Sequence, residues 1–243
     1  MKASIFRTVW IIIVSALYTA NTCGQSVIAK LLGKSNRAWV DKTMYIWAKR
    51  ILNLVKVDYQ IINPHHINPV AGKATIVMCN HSSLYDIPLS ICAFPASSLR
   101  MLAKKELSKI PIMGKGMSAA EFPFIDRKNR KQAIADLALV KQLLESGIVM
   151  WIAPEGTRSK DGKLAPLKKG GIIAAIEAKA TIIPIGIRGA FDILPSRTYQ
   201  FNLYQHAEIH IGDPIDASKY TLDNKEALVA EVYQAMKQLV GKK

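Results

Sequence analysis

Acidic residues are scarce in this 243-residue chain: 18 Asp and Glu stand against 33 Lys and Arg, a formal charge of +15 at pH 7. An excess of that size implies an anionic partner, whether nucleic acid, a membrane surface or a phosphorylated substrate. Nucleic acid lacks support, because the sequence has no zinc-ligand spacing, no RRM signature and no run alternating basic and aromatic residues. Cysteine is also scarce. Cys23, Cys79 and Cys92 are odd in number and lack metal-ligand spacing, which fits a reducing compartment better than a disulfide framework. A phosphate-cradling P-loop and a Gly-x-Ser-x-Gly elbow are both missing, which argues against a serine nucleophile and leaves Ser82 and Ser83 as formal candidates only. Internal repeats and low-complexity linkers are missing too.

Charge disappears altogether from Thr8 to Ala29. Val9 to Ala20 is strongly apolar, whereas Asn21, Thr22, Gly24, Gln25 and Ser26 dilute the second half of the stretch. A helix over the strong core of about 12 residues rises only ~18 Å, short of a ~30 Å hydrocarbon slab, while the full stretch of about 22 just crosses it. Three readings stay open: a segment dipping into one leaflet, a single span, or a signal peptide, for which Lys2 and Arg7 supply the basic start but no A-x-A site is present. Asn36 to Lys56 predicts an amphipathic helix, with Val40, Met44, Trp47, Ile51 and Leu54 on one stripe and Arg37, Lys42, Lys49, Arg50 and Lys56 off it. That pattern suits an interfacial anchor, or an ordinary helix packed on a core. Through residue 70, nine basic residues face two acidic ones, Asp41 and Asp58, so basic and lipophilic character together favour an anionic membrane surface. Asn63-Pro64-His65-His66 and Asn68-Pro69 mark a loop in which the histidines are solvent-exposed. Residues 1–60 are thus expected to form a membrane-associating two-helix segment and residues 61–243 a separate domain.

That domain alternates. Thr75 to Cys79, Ser98 to Ala103, Glu121 to Ile125, Ile148 to Ala153, Thr181 to Ile187 and Ala207 to Ile211 are strand-like, the last alternating as an edge strand does. Helical patterns cover Leu84 to Ala93, Ile110 to Ala119, Asn129 to Ser146 (with Ile134, Leu137, Val140 and Leu144 on one face), Leu167 to Lys179 and Thr221 to Val240. Strands alternating with helices predict an α/β fold, a mixed and largely parallel sheet flanked by helices, preceded by the N-terminal pair of membrane-associating helices.

Asn80-His81-Ser82-Ser83-Leu84-Tyr85-Asp86 comes directly after the first of those strands. A turn-to-helix bend can bring His81 and Asp86 together, and a carboxylate on one ring nitrogen fixes the tautomer and leaves the other nitrogen free to take a proton. Ser83 to Asp86 is also an S-x-x-D capping box, which needs no chemistry at all. Three further strand ends carry polar groups: Lys104-Lys105, Asp126-Arg127, and Glu155-Gly156-Thr157-Arg158-Ser159. In an open α/β sheet ligands bind beyond the carboxyl ends of strands, so these groups are expected to share one crevice suited to a phosphate.

These blocks resemble those of the glycerolipid acyltransferases that include 1-acylglycerol-3-phosphate acyltransferase, the PlsC-like enzymes. Asn80 to Asp86 matches their N-H-x-S-x-x-D block, Phe124-Ile125-Asp126-Arg127 looks like their second, Pro154 to Ser159 like their third, and Ile182-Ile183-Pro184-Ile185-Gly186-Ile187 like their fourth. Lys104-Lys105-Glu106-Leu107 and Lys168-Lys169-Gly170 also fall where the family has basic residues. Ala153, Leu167 and Ala120 depart from its frequent Phe, Phe and Gly, which bears on acyl or acceptor preference.

The resemblance implies acyl transfer from a thioester, acyl-CoA or acyl-carrier protein, to the sn-2 hydroxyl of lysophosphatidic acid at the bilayer, on the cytoplasmic face of a bacterial inner membrane. His81 is then the general base and Asp86 its orienting partner. Arg127, Arg158 and Lys105 hold the acceptor phosphate, while Glu155, Gly156 and Thr157 contact substrate. A thioester is already activated, so no metal or cofactor is expected and none of these residues is read as a ligand. Two rivals stand beside this: the same chemistry on a lysophospholipid with a head group or a lyso-aminolipid, and a non-catalytic membrane-binding protein whose His81–Asp86 pair is only a cap.

Overall fold

Two helices open the chain, α1 (Ile5–Leu31) and α2 (Arg37–Leu54), capped by Ser4 and Asn36, whose side chains accept from the N–H of Arg7 and Trp39. The computed structural model describes residues 1–126 and 130–241, with the side chains of only Gln132 and Asp136 described within 130–137. Next come β1 (Asp58–Ile62) and β2 (Thr75–Cys79), then α3 (Asp86–Ala93), β3 (Leu99–Met101), β4 (Ala103–Lys104), a 3-10 turn at Lys105–Lys109 and α4 (Met113–Ala119). The remainder is β5 (Phe124–Ile125), α5 (Arg130–Glu145), β6 (Val149–Ile152), α6 (Lys169–Glu177), β7 (Thr181–Arg188), α7 (Ala190–Ile193), β8 (His206–Ile211), β9 (Ile215–Asp216) and α8 (Lys225–Val240).

The main sheet runs β1-β8-β7-β2-β6-β3, with β9 beside β7, and β4 pairs with β5 in a small second sheet. β2, β3, β6 and β7 are parallel, while β8 and β9 run against β7, so the sheet is mixed and largely parallel. Every residue of β2 is buried because helices cover both faces. Val77 and Cys79 join a core with α2 and α3, and Ile76 and Met78 join the opposite core with α5, α6 and α8. The expected edge strand, His206–Ile211, lies inside the sheet between β1 and β7. Its alternation comes from unequal cover on its two faces, and the path ends instead on β3 and on β1, whose Asp58-Tyr59-Gln60 start carries no apolar alternation.

The apolar stripe of α2 is turned inward: Val40, Met44 and Ile51 are buried, and Trp47 donates from Nε1 to Thr19 Oγ1 at 3.1 Å. The packed-helix reading therefore describes α2, and the exposed apolar surface belongs to α1, where Phe6, Trp10, Ile13 and Leu17 are all at least half exposed. α1 is long and apolar enough to cross a membrane by length and composition, and that surface suits association with a bilayer. α1 also lies against α4 at very close range. A Cβ on Gly116 would stand 2.3 Å from Cys23 Cβ, so only glycine admits this approach.

Candidate active site

His81 sits just past the carboxyl end of β2, and α3 begins five residues later. The turn between them wraps around one atom. Asp86 Oδ2 accepts the backbone N–H of Ser82 at 2.7 Å and of Ser83 at 2.8 Å, and lies 2.8 Å from His81 Nδ1. An oxygen that already collects N–H donors takes Nδ1–H as a third, which leaves Nε2 of the neutral ring as the basic nitrogen. Asp86 is fully buried, and its Oδ1 accepts from none of the described residues. The capping box is half formed. Asp86 reaches back to Ser83 N–H, but Ser83 Oγ donates to Leu194 O at 2.9 Å and accepts the Tyr85 N–H at 3.3 Å, not the Asp86 N–H of a full box. Cap and His–Asp pair are thus one structure with one carboxylate at its centre.

The segment after β6 grips the His81 backbone from both sides. Glu155 Oε1 accepts His81 N–H at 2.7 Å, and Ser159 N–H donates to His81 O at 2.7 Å. Glu155 Oε2 accepts Ala165 N–H at 2.8 Å, so both carboxylate oxygens serve backbone donors inside the protein. Burial is the largest influence on its carboxyl and raises it above the usual range, although the two N–H donors pull the other way. Glu155 thus braces the His81 turn and is not among the residues that line the cavity described below. Asn80, also buried, exchanges two hydrogen bonds with the main chain of Ile187 at 2.9 and 2.7 Å, locking the end of β2 to β7.

A cavity of about 560 Å³ opens at His81 and runs between α1, α2, α3 and α4. That size is typical of small-ligand sites. Its walls are mainly apolar, among them Met44, Trp47, Leu84, Ile91 and Phe122, and Thr22, Cys23 and Ser26 bring α1 against it. Ser26 and Thr19 turn their hydroxyls back onto carbonyls of α1, the Thr22 and Ser15 oxygens, so the dilution of apolar residues in this helix leaves no unpaired hydroxyl at these two positions. Trp151 presents an edge-to-face contact to the His81 ring at 5.7 Å between centroids.

At the mouth, three of the four expected strand ends converge: His81, Lys104, and the turn Gly156-Thr157-Arg158. Gly156 has φ of +75, which suits glycine in that turn. Lys105 points elsewhere, pairing with Asp126 Oδ2 at 3.2 Å across the small sheet, so the cation at the mouth is its neighbour Lys104. Arg127 lies outside the described residues. A further mouth residue, Arg197, comes from the loop after α7 and had no signal in the sequence, because no motif surrounds it.

Comparisons with known proteins agree with this geometry. The sequence profile of the family described as Acyltransferase matches residues 58–188. An uncharacterized acyltransferase of Schizosaccharomyces pombe is 32% identical over 227 residues, covering 92% of this chain and 76% of that protein. The 1-acyl-sn-glycerol-3-phosphate acyltransferase alpha of Mus musculus is 28% identical over 184 residues, 75% of this chain and 64% of its own length. The Saccharomyces cerevisiae 1-acyl-sn-glycerol-3-phosphate acyltransferase is 27% identical over 181 residues, 73% and 58%. The chain therefore spans less than two thirds of the length of these last two relatives. The crystal structure of the LPA acyltransferase PlsC from Thermotoga maritima superposes with a TM-score of 0.82 over 97% of this chain and 94% of that one, at 24% identity, a shared fold. With more than half of its length matched by the family profile and a relative at 32% identity along almost all of it, the chain belongs to the acyltransferase family.

Proposed function

We propose that this protein transfers a fatty acyl group from an acyl thioester to the sn-2 hydroxyl of lysophosphatidic acid, forming phosphatidic acid for phospholipid synthesis. The observation that carries this reading is the position of His81, at the junction of an apolar cavity and a cationic mouth, with Asp86 behind it. The acyl chain lies in the cavity, and the acceptor phosphate lies between Lys104 and Arg158, with Arg127 added to them on the sequence resemblance alone. His81 Nε2 takes the proton of the acceptor hydroxyl as its oxygen attacks the thioester carbonyl. Asp86 holds the ring and stabilises the imidazolium that forms. When the carbon–sulfur bond breaks, the imidazolium returns the proton to the thiolate, and the enzyme ends in its starting state. Glu155 and Ser159 act behind the reaction, fixing the His81 backbone.

Relatives carrying the name 1-acyl-sn-glycerol-3-phosphate acyltransferase support the acceptor. The exposed apolar face of α1 supports a site held at the bilayer, on the side where the donor thioester is made. The basic surplus suits anionic lipid and either an acyl-CoA or an acidic acyl-carrier protein. The test is thioester release on adding lysophosphatidic acid in detergent or vesicles, for the intact protein and for His81→Ala. Loss of roughly 10²–10⁴-fold in kcat is expected. A folded His81→Ala protein with full turnover, or a wild type that consumes no thioester, overturns the reading.

A further inference from the structure

We infer that Arg197 is a phosphate-binding residue, paired with Arg158 across the mouth of the cavity. This deepens the function proposed above and rests on it. Arg197 belongs to none of the four sequence blocks, but the fold brings it to the site. Ser196 Oγ donates to Ser159 O at 2.5 Å, and Ser83 Oγ donates to Leu194 O at 2.9 Å. The loop is therefore tied to both segments that hold His81. The Ser196–Ser159 bond has Arg158 on one loop segment and Arg197 on the other as immediate neighbours, and both residues line the same cavity.

Charge points the same way. Neither guanidinium has a hydrogen-bond or ion-pair partner among the described residues, although Arg37, Arg100 and Arg188 each have one. Two uncompensated cations at one opening repel each other unless an anion lies between them. The backbone of Arg197 is in the left-handed region, with φ of +63, where glycine is the easy residue. Arg197 is exposed on this loop and still lines the cavity, so its guanidinium is open to a ligand there. A planar fork on each side of a phosphate gives bidentate grip and discriminates against neutral acceptors. The phosphate is that of the lysolipid acceptor or one of those on the donor, and the two sources separate experimentally.

The experiment compares wild type with Arg197→Gly, Arg197→Lys and Arg158→Ala. Arg197→Gly relieves the backbone, so its melting temperature should not fall. Saturation curves are measured with lysophosphatidic acid and with acyl-CoA varied in turn. Binding of glycerol 3-phosphate is read separately by calorimetry, which needs no turnover. Arg197→Gly should raise one KM by about tenfold with kcat nearly constant, and weaken glycerol 3-phosphate to a similar degree if the acceptor is the source. Arg197→Lys should recover part of the loss. A rise confined to the acyl-CoA curve assigns the grip to the donor. Unchanged KM values for both substrates, with unchanged glycerol 3-phosphate binding, overturn the inference and leave the proposed function standing. Absence of any wild-type turnover removes that function, and calorimetry with glycerol 3-phosphate and with coenzyme A then decides Arg197: unchanged binding of both overturns the inference.

Discussion

One oxygen of Asp86 faces His81 Nδ1 at 2.8 Å and two backbone N–H groups at 2.7 and 2.8 Å, while the other oxygen is buried with no partner among the described residues. Asp86→Asn separates charge from geometry. Its amide oxygen can keep all three donors, and its NH₂ group takes the unpartnered side. The fold and substrate KM should survive, and kcat should fall by roughly 10²–10⁴-fold, because an uncharged partner no longer stabilises the imidazolium. Steady-state kinetics beside circular dichroism would check this, and normal kcat would reduce Asp86 to a turn-forming residue.

Glu155 is predicted to matter without touching substrate. Glu155→Gln keeps one acceptor but turns an NH₂ group towards either His81 N–H or Ala165 N–H, leaving a buried donor unmet. The expected cost is about 1–3 kcal/mol of stability, together with lower kcat as the His81 backbone loosens. The pH dependence has a definite sign. Burial raises the Glu155 carboxyl in the folded protein, so the folded state holds that proton to higher pH than the unfolded chain. Wild-type stability from this group is therefore full below the ordinary carboxylate range and declines as pH rises through the raised value. The stability gap between wild type and Glu155→Gln should narrow over that interval and then stay level. Thermal melts from acid to neutral pH would show it, and a widening gap would contradict the assignment.

Asp41, partly exposed, and the fully buried Arg100 form an ion pair at 2.7 Å that joins α2 to β3. Arg100 also donates to Ala120 O at 2.6 Å, and its ring neighbour is Phe122, so both cavity-lining residues depend on it. Asp41→Ala should cost about 3–5 kcal/mol, since it strands the guanidinium in the core. Arg100 Nη2 already lacks a partner among the described residues. Chemical denaturation measures the loss, and a change below about 1 kcal/mol would mean that water reaches this pair.

Thr22 lines the cavity on α1, beside Cys23, where α1 packs on α4. Thr22→Phe fills that space with a ring. The preferred acyl chain should shorten, seen as a rise in KM for long acyl thioesters with short ones little affected. Competition between donors of two chain lengths is the direct measurement. An unchanged ratio would place the acyl chain elsewhere.

The sequence alone determined the alternation of strands and helices, the His81–Asp86 pair, and the placement of polar residues at strand ends, because these depend on local periodicity and short spacings. Continuous apolar runs such as Thr75 to Cys79 require a strand covered on both faces, and the five-residue step from His81 to Asp86 requires only one turn. Tertiary structure decided what spacing could not express. The stripe of α2 could face lipid or protein with the same periodicity, and only its packing on α3 and against Thr19 settled that it faces protein. Lys104 and Lys105 are adjacent letters, yet the strand sends one to the mouth and the other to Asp126. Glu155 looks like a substrate ligand until the His81 and Ala165 N–H groups, 74 and 10 residues away in sequence, are found on its two oxygens. Arg197 joins the site through a hydrogen bond between segments 37 residues apart. Contacts of that kind are set by how sheet and loops close around a core, and closure leaves no periodic trace in a single sequence.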